Sequence, residues 1–116
     1  MEIRLLEKPI TLADLATLAK DQFGEMIKAV VDIEQELLVV GGELHSDEEA
    51  LLLENGSAQE HLWGINIYPG KLGRDLVEFD SMINIRPSQN NLSRGVENPE
   101  IQARILRVVE KMVVSS

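Results

Sequence analysis

The residues best suited to chemistry lie in one short segment, FDSMINIRPSQNNLSRG, at residues 79–95. The segment lacks Lys and Glu, which are common in proteins, and carries two arginines among amides and hydroxyls. Arginine presents a rigid fork of donors that suits a carboxylate or a phosphate, and amides and hydroxyls complete such a binding shell. The pattern therefore predicts a site for a small anionic ligand. The expected ligand-binding residues are Asn66, from an earlier strand, and Asn84, Arg86, Ser88, Gln89, Asn91 and Arg94.

A second interpretation of the same segment is structural. The amide and hydroxyl side chains of a loop often hydrogen-bond the backbone of that loop. Arg86 or Arg94 would then pair with the carbonyl end of a helix. The sequence leaves both interpretations open.

Asp80 and His45 are the two candidates for proton transfer. Asp80 beside Asn66 would be a general base held by an amide, or a partner in a cross-strand hydrogen bond that fixes the register. His45 shares a strand face with Glu43, and a histidine with carboxylates can hold a divalent metal. A second histidine at ligand spacing is missing, so no metal site and no cofactor are predicted. A solvent-facing histidine at a strand end is the simpler interpretation of His45.

Other catalytic motifs are missing from the chain. No Lys-Ser/Thr pair follows Gly41-Gly42, so these glycines predict a bulge or a close backbone approach and not a phosphate-binding loop. Neither a calcium-binding loop nor a nucleophile elbow occurs. Whether the protein is an enzyme is left open.

Composition narrows the class of protein. The chain has 116 residues, of which 44% are apolar and 27% charged, and this predicts one globular domain over residues 1–116. It has no cysteine, no apolar signal core near Met1 and no long apolar run, so a cytoplasmic protein is expected.

Charge argues against nucleic acid and anionic membranes as partners, because the formal net charge is -9. Residues 1–60 carry 14 acidic and 4 basic residues, whereas residues 61–116 carry 6 acidic and 7 basic ones. The second half is therefore the better host for an anion, unless the asymmetry is a chance placement of solvated charges.

Periodicity and capping signals divide the chain into eight elements. Thr11 begins the first helix, Ser46 and Glu49 form a capping box for the second, and Asn98 with Pro99 begins the third. The apolar stripe of the third helix is Ile101, Ile105, Val108, Val109 and Met112. A strand through residues 51–53 competes with the second helix, because three consecutive leucines show no period. The predicted elements are an edge strand at 3–6, a helix from 11 to near 24, strands at 26–33 and 37–45, a helix over 46–56, strands at 62–70 and 77–87, and a helix over 98–113.

This order, β-α-β-β-α-β-β-α, predicts a two-layer α+β domain with a mainly antiparallel sheet and helices on one face. About eight residues join the strands at 62–68 and 77–86, which is too short for a parallel crossover. Alternation assigns Ile27, Leu38, Trp63 and Phe79 and their alternate neighbours to an apolar face under the helices. It places Asn66 opposite Asp80 or Met82, and Gly64 as the open floor of a pocket.

The opposite face combines polar flanks with an apolar middle of Val30, Leu37, Val39 and Met82. Such a face suits a ligand cleft or a second subunit. Its polar side chains are Lys28, Asp32, Glu43, His45, Asn66, Tyr68, Asp80, Asn84 and Arg86.

Several phrases in the chain are distinctive: DIE with VGGELH, LLLENGS, LWGINIYP and FDSMINIRPSQNN followed by SRG. The resemblance that they carry covers nearly the whole chain. The chain resembles a small prokaryotic family known only as a domain of unknown function. This resemblance implies no activity, substrate or catalytic residue.

Two functional hypotheses follow from the residues. In the first, Arg86 and Arg94 neutralise a small anionic ligand, Asn84 and Asn66 orient it, and Asp80 or His45 moves a proton. In the second, the protein is an interaction module without catalytic activity, whose open sheet face is buried in a homodimer or against a partner.

Overall fold

A computed structural model describes residues 3–115. The elements in chain order are β1 (Arg4–Leu5), β2 (Ile10–Thr11), α1 (Leu12–Lys20), β3 (Ile27–Asp32), β4 (Leu37–Val40), α2 (His45–Glu54), β5 (Leu62–Ile67), β6 (Val77–Glu78), α3 (Pro99–Met112) and β7 (Val113–Val114). Short 3-10 turns lie at Gln59–His61, Gly73–Leu76, Met82–Asn84 and Pro87–Gln89. No helix within the described range is long and apolar enough to cross a membrane.

The main sheet has five antiparallel strands in the order β1-β4-β3-β5-β6. Val30 in the central strand lies opposite Val39 of β4 and Gly64 of β5. A separate parallel pair joins β2 to β7. The predicted α+β class, the mainly antiparallel sheet and the strand at the N-terminal edge are confirmed.

One face of the sheet packs under α1 and α3, as alternation predicted. Ile27, Trp63 and Ile105 belong to this core and are at most 1% exposed. Helix α3 begins at Pro99 because the Asn98 side chain accepts from the backbone N–H of Glu100 and Pro99 occupies the first turn. The predicted stripe of α3 is confirmed in its buried residues Ile105, Val108, Val109 and Met112.

The other face is covered by α2, and here the prediction that all helices share one face is wrong. Leu52 of α2 packs with Val30, Val39 and Leu62, and all four side chains are fully buried. The apolar middle of this face therefore finds its cover within the chain. The three consecutive leucines show no helical period, and Leu53 is 42% exposed. The sequence therefore did not indicate which side of the sheet α2 covers.

The ends of several helices and strands differ from the predicted ones, and the causes are local. Gly41, at φ +95, ends β4 and turns the chain out of the sheet, so Glu43 and Leu44 are exposed loop residues. Helix α2 then begins at His45, with Leu44 at the N-cap and no side-chain cap, so the box predicted from Ser46 does not cap it. Phe23 lies beyond the end of α1 and is 43% exposed.

The strand predicted at 77–87 is mostly wrong. Only Val77 and Glu78 join the sheet, and the chain then leaves it for the 3-10 turn at Met82–Asn84. The Ser81 hydroxyl accepts from the backbone N–H of Ile83 and begins that turn. The space above Gly64 is filled, since an added Cβ there would lie 2.6 Å from the Ser81 side chain. Gly64 is therefore not the open floor of a pocket.

Candidate functional site

Asn84, the first of the predicted ligand-binding residues, is fully buried and bonded on all sides. Its Oδ1 accepts from the Gly64 backbone N–H at 2.8 Å, and its Nδ2 donates to the Gly64 carbonyl at 2.9 Å. The same Nδ2 also donates to the Arg94 carbonyl at 2.9 Å. The side-chain amide thus pairs with Gly64 as a neighbouring strand would, on the stretch of β5 that β6 leaves unpaired.

Arg86 is also turned inward and is 8% exposed. Its two terminal nitrogens donate to the carbonyls of Gln59 and Leu62, and one of them also donates to the Gln89 side chain. The guanidinium lies over the Trp63 ring, 4.1 Å from its centre. Burial lowers the pKa of Arg86 from its usual value, with the nearby Glu49 carboxylate opposing the shift. These contacts tie the 87–89 turn to the start of β5.

Asn91 completes the interior of the loop and is 3% exposed. Its Nδ2 donates to the carbonyls of Asn84 and Gly95 at 2.8 Å each, and its Oδ1 accepts from the Glu97 backbone N–H. Gln89 donates to the Glu60 carbonyl, while Ser88 is exposed. Of the five residues predicted between Asn84 and Asn91, Asn84 and Arg86 therefore hold the loop against β5, and Asn91 holds the loop to itself.

The other predicted residues meet in a different place. Arg94, Asp80, Asn66 and His45 all line one cleft with a volume of about 530 Å³. The cleft lies between the first residues of α2 and the segment that leaves β6. Its full lining is Phe23, Met26, Lys28, Leu44, His45, Ser46, Asn66, Tyr68, Glu78, Asp80, Ser81, Met82, Ile83 and Arg94.

Three residues on adjacent strands form the polar row of this cleft. Lys28 of β3 is directly opposite Asn66 of β5, and Asn66 is directly opposite Glu78 of β6. Directly opposite side chains on one sheet face lie within contact distance. The register differs from the predicted one, in which Asn66 faced Asp80 or Met82, because β6 ends at Glu78. We call these three residues the polar row.

Asn66 is the buried centre of the polar row, at 5% exposure. Its Nδ2 donates to Glu78 Oε1 at 2.8 Å and lies 3.5 Å from the Asp80 carbonyl, which fixes the orientation of the amide. Its Oδ1 is buried and has no hydrogen-bond partner within residues 3–115. A buried carbonyl oxygen without a donor costs free energy, so this atom is poised to accept a hydrogen bond.

His45 occupies the first turn of α2, is 8% exposed and lines the same cleft. Its Nε2 lies 2.8 Å from the Ile65 carbonyl oxygen, an acceptor that requires the proton on Nε2. Burial lowers the pKa of His45, and the Ile65 bond, Asp80 and the Asn66 side chain partly oppose that effect. The ring is therefore neutral at pH 7, which leaves Nδ1 as an acceptor of protons or hydrogen bonds.

Charged side chains lie at both ends of the polar row and beside it. Arg94 Nε donates to Asp80 Oδ1 at 2.7 Å in an exposed pair, so the Asp80 carboxylate is bound to Arg94 and not to Asn66. Glu78 Oε1 accepts from the Tyr68 hydroxyl at 3.1 Å as well as from Asn66. Lys28 forms no salt bridge in the part of the chain that the structure describes, and its ammonium lies 5.0 Å from the centre of the Phe23 ring.

Lys28, Tyr68 and Glu78 belong to this site but were not among the predicted site residues. Alternation in the sequence already placed Lys28 and Tyr68 on the face of Asn66. The signal that was missing is the register, which depends on where β6 ends. No group of three or more His, Asp or Glu side chains that could hold a metal occurs within residues 3–115.

Comparison with known proteins agrees with the resemblance of the sequence to an uncharacterised family. No curated protein and no solved structure matches the chain. The model of one family, described as a protein of unknown function (DUF5674), matches residues 4–112 and so covers nearly all of the chain. The chain therefore belongs to the DUF5674 family of proteins of unknown function.

Proposed function

We propose that the protein binds a small anionic ligand in the cleft of the polar row. The observation that carries the proposal is the Lys28–Asn66 pair, in which a cation without a carboxylate partner lies beside a buried carbonyl oxygen without a donor. A ligand that places an anionic group on Lys28 and a hydrogen-bond donor on Asn66 Oδ1 satisfies both groups at once. The volume of about 530 Å³ is within the range of small-molecule sites.

The ligand contacts lie away from the 87–95 loop. The two terminal nitrogens of Arg86 and the side-chain nitrogens of Asn84 and Asn91 already donate to protein oxygens, and of these donors only the buried Arg86 Nε lacks a partner within residues 3–115. A ligand at the loop would have to break those bonds, whereas a ligand at Lys28 breaks none. Arg94 is a secondary contact, because an anion reaching it competes with Asp80 in an exposed pair.

His45 gives the cleft a proton acceptor next to the bound ligand. A neutral imidazole whose Nε2 proton is held by a carbonyl can accept a proton through Nδ1. This is the group on which an enzymatic activity of the cleft would depend.

The homodimer alternative was argued from an exposed apolar sheet face, and helix α2 of the same chain covers that face. Val30 and Val39 are fully buried beneath α2, so a second subunit could reach them only by displacing that helix. Of the four predicted interface residues, only Met82 is exposed, at 65%.

The test is a thermal-shift panel of phosphate and of small mono- and dicarboxylates, with and without a hydroxyl or amino group, on three proteins: wild type, Lys28→Gln and Lys20→Gln. Lys20→Gln is the matched control, because it removes the same charge at an exposed site on α1, outside the cleft. We expect at least one anion to raise the Tm of wild type and Lys20→Gln by several degrees and to leave Lys28→Gln unchanged. Equal shifts in all three proteins, or no shift in any, would refute the proposal.

A further inference from the structure

The two ends of the polar row carry opposite charges. Lys28 is a cation at one end and Glu78 a carboxylate at the other, with Asn66 between them. Two strand spacings separate Lys28 from Glu78, which places their Cα atoms roughly 10 Å apart. Neither charge has an ionic partner in the described part of the chain.

The Glu78 end of the row is rich in hydrogen-bond acceptors. Asn66 Oδ1 is buried and lacks a donor, and Glu78 accepts through Oε1, which leaves Oε2 open. The Asp80 carboxylate, which is paired with Arg94, also lines the cleft, and the neutral His45 adds an acceptor nitrogen. An ammonium group has three donors and no acceptor, which is the complement of this arrangement.

Other ligand types leave one end unsatisfied. A purely anionic ligand would satisfy Lys28 but would leave Asn66 Oδ1 without a donor and would face the like charge of Glu78. A neutral polyol would supply donors but leave the Lys28 charge without a counterion. A cation would leave Lys28 repelling it. Buried acceptors and charges without partners cost free energy, so each of these ligands fits less well.

We propose that the ligand is a small amino carboxylate, whose carboxylate contacts Lys28 and whose ammonium contacts Asn66 Oδ1 and Glu78. The inference rests on the proposed function and narrows its ligand class. The distance between Lys28 and Glu78 should therefore select ligands by the distance between their carboxylate and ammonium groups.

The experiment compares amino carboxylates of increasing length with the same acids without the amine. The probes are glycine, 3-aminopropanoate and 4-aminobutanoate, against acetate, propanoate and butanoate, with dissociation constants from calorimetric titration. The proteins are wild type, Glu78→Gln and Glu54→Gln. Glu54→Gln is the control, because it removes the same charge at the exposed end of α2.

We expect one amino carboxylate to bind wild type at least tenfold more tightly than its amine-free partner, the scale of one charge-assisted hydrogen bond. Glu78→Gln should weaken that binding by a similar factor, and Glu54→Gln should leave it unchanged. Since Gln can still accept from Asn66, a Glu78→Gln protein with wild-type Tm shows that the loss arises from the ligand contact.

The outcomes separate the two proposals. Equal affinity for an amino carboxylate and its amine-free partner would overturn the amino carboxylate assignment and leave the anion site standing. Binding of amino carboxylates that Glu78→Gln does not weaken would overturn the assignment of the ammonium contact. No binding of any probe, together with no shift in the anion panel, would overturn both proposals.

Discussion

Asn84 shows at the scale of one residue how a side chain can replace a strand. Its amide exchanges two hydrogen bonds with the backbone of Gly64 and adds a third to the Arg94 carbonyl. Asparagine carries a donor and an acceptor in the geometry of a peptide group, and so it can pair with an exposed strand edge. The sequence showed Asn84 as a polar residue on an alternating segment, which is equally typical of a ligand-binding side chain.

Asn84→Ala should therefore destabilise the fold and not merely remove a ligand contact. Both Gly64 backbone groups would lose their partners, and we expect a loss of about 2–4 kcal/mol in the free energy of unfolding. Urea denaturation measures it, with Ser88→Ala as the exposed control from the same segment. A loss below 0.5 kcal/mol, about the level of a surface change, would contradict this role.

Glu48 is a second residue whose environment decides its chemistry. It is fully buried in α2, and its Oε2 accepts from the Gly42 backbone N–H at 3.0 Å. Burial raises its pKa to about 9, while the Gly42 bond and Lys28 act in the opposite direction and Asp47 adds to the rise. The folded protein therefore keeps a proton on Glu48 at neutral pH.

This proton makes stability depend on pH with a defined sign. The folded pKa lies above the ordinary value of 4.5, so the stabilisation is complete below pH 4.5 and is lost as pH rises towards 9. Above pH 6.5 the burial of neutral His45 adds little slope, because its lowered pKa acts only at acid pH. Wild type should lose up to about 1.4 kcal/mol per pH unit between pH 7 and 9.

Glu48→Gln removes the titrating group and keeps its shape, so its unfolding free energy should change less over the same range. Urea denaturation at pH 7, 8 and 9 on both proteins measures the difference. Parallel curves for the two proteins would show that Glu48 does not hold a proton in the folded state.

At the scale of elements, the contact of β5 with the 3-10 turn at Met82–Asn84 depends on Gly64. An added Cβ at Gly64 would lie 2.6 Å from the Ser81 Cβ and Oγ and 3.1 Å from Ile83 Cγ1. Such distances force the turn away from the strand, and the Asn84 bonds to Gly64 would lengthen with it. The glycine is thus what lets the polar segment lie flat on the sheet.

Gly64→Ala should lower the free energy of unfolding by about 1–3 kcal/mol, the usual cost of overpacking. Gly70→Ala is the matched control, because an added Cβ there meets no atom within 4 Å. Thermal unfolding followed by circular dichroism compares them with wild type. Equal Tm values for the two variants would mean that the turn does not pack against Gly64 as described.

The elements also show what the sequence could predict. Helix α3 was readable because Asn98, Pro99 and the stripe from Ile101 to Met112 all point to the same boundaries. The segment after Glu78 was not, because Phe79, Ser81, Ile83 and Ile85 alternate as a strand would. Two kinds of bond override that period: the local bond of the Ser81 hydroxyl to the Ile83 N–H, and the bonds of Asn84 to Gly64, a residue distant in sequence.

The placement of α2 has a similar explanation. The fully buried Leu52 faces the sheet between two leucines of greater exposure, so no hydrophobic period marked its face. The apolar middle of the second sheet face was the available signal, and it required cover of some kind. That the cover is a helix of the same chain follows only from tertiary packing.

At the scale of the whole molecule, the cleft collects residues from segments distant in sequence. Lys28, His45, Asn66 and Glu78 come from four elements, and Arg94 comes from the loop before α3. Four of the predicted site residues, His45, Asn66, Asp80 and Arg94, meet there, although Asp80 lies outside the sheet and His45 begins a helix. Alternation correctly predicted the sheet face on which Asn66 lies. Its neighbours on that face, Lys28 and Glu78, follow from the strand register.

The two polar regions of the molecule have different roles in this account. The side chains of Asn84 and Arg86 hold the chain to β5, and Asn91 holds the loop together. Within residues 3–115, the polar row contains two charges without an ionic partner and one buried acceptor without a donor. A ligand should therefore perturb the second region and leave the first unchanged.

The most direct measurement is a two-dimensional 1H–15N spectrum of the protein titrated with the anion that gives the largest thermal shift. We expect chemical-shift changes centred on the backbone amides of Lys28, His45, Asn66 and Glu78, while the amides of residues 86–91 keep their positions. Changes centred on residues 86–91, without changes in the polar row, would contradict the proposed site and would show that the ligand binds the loop.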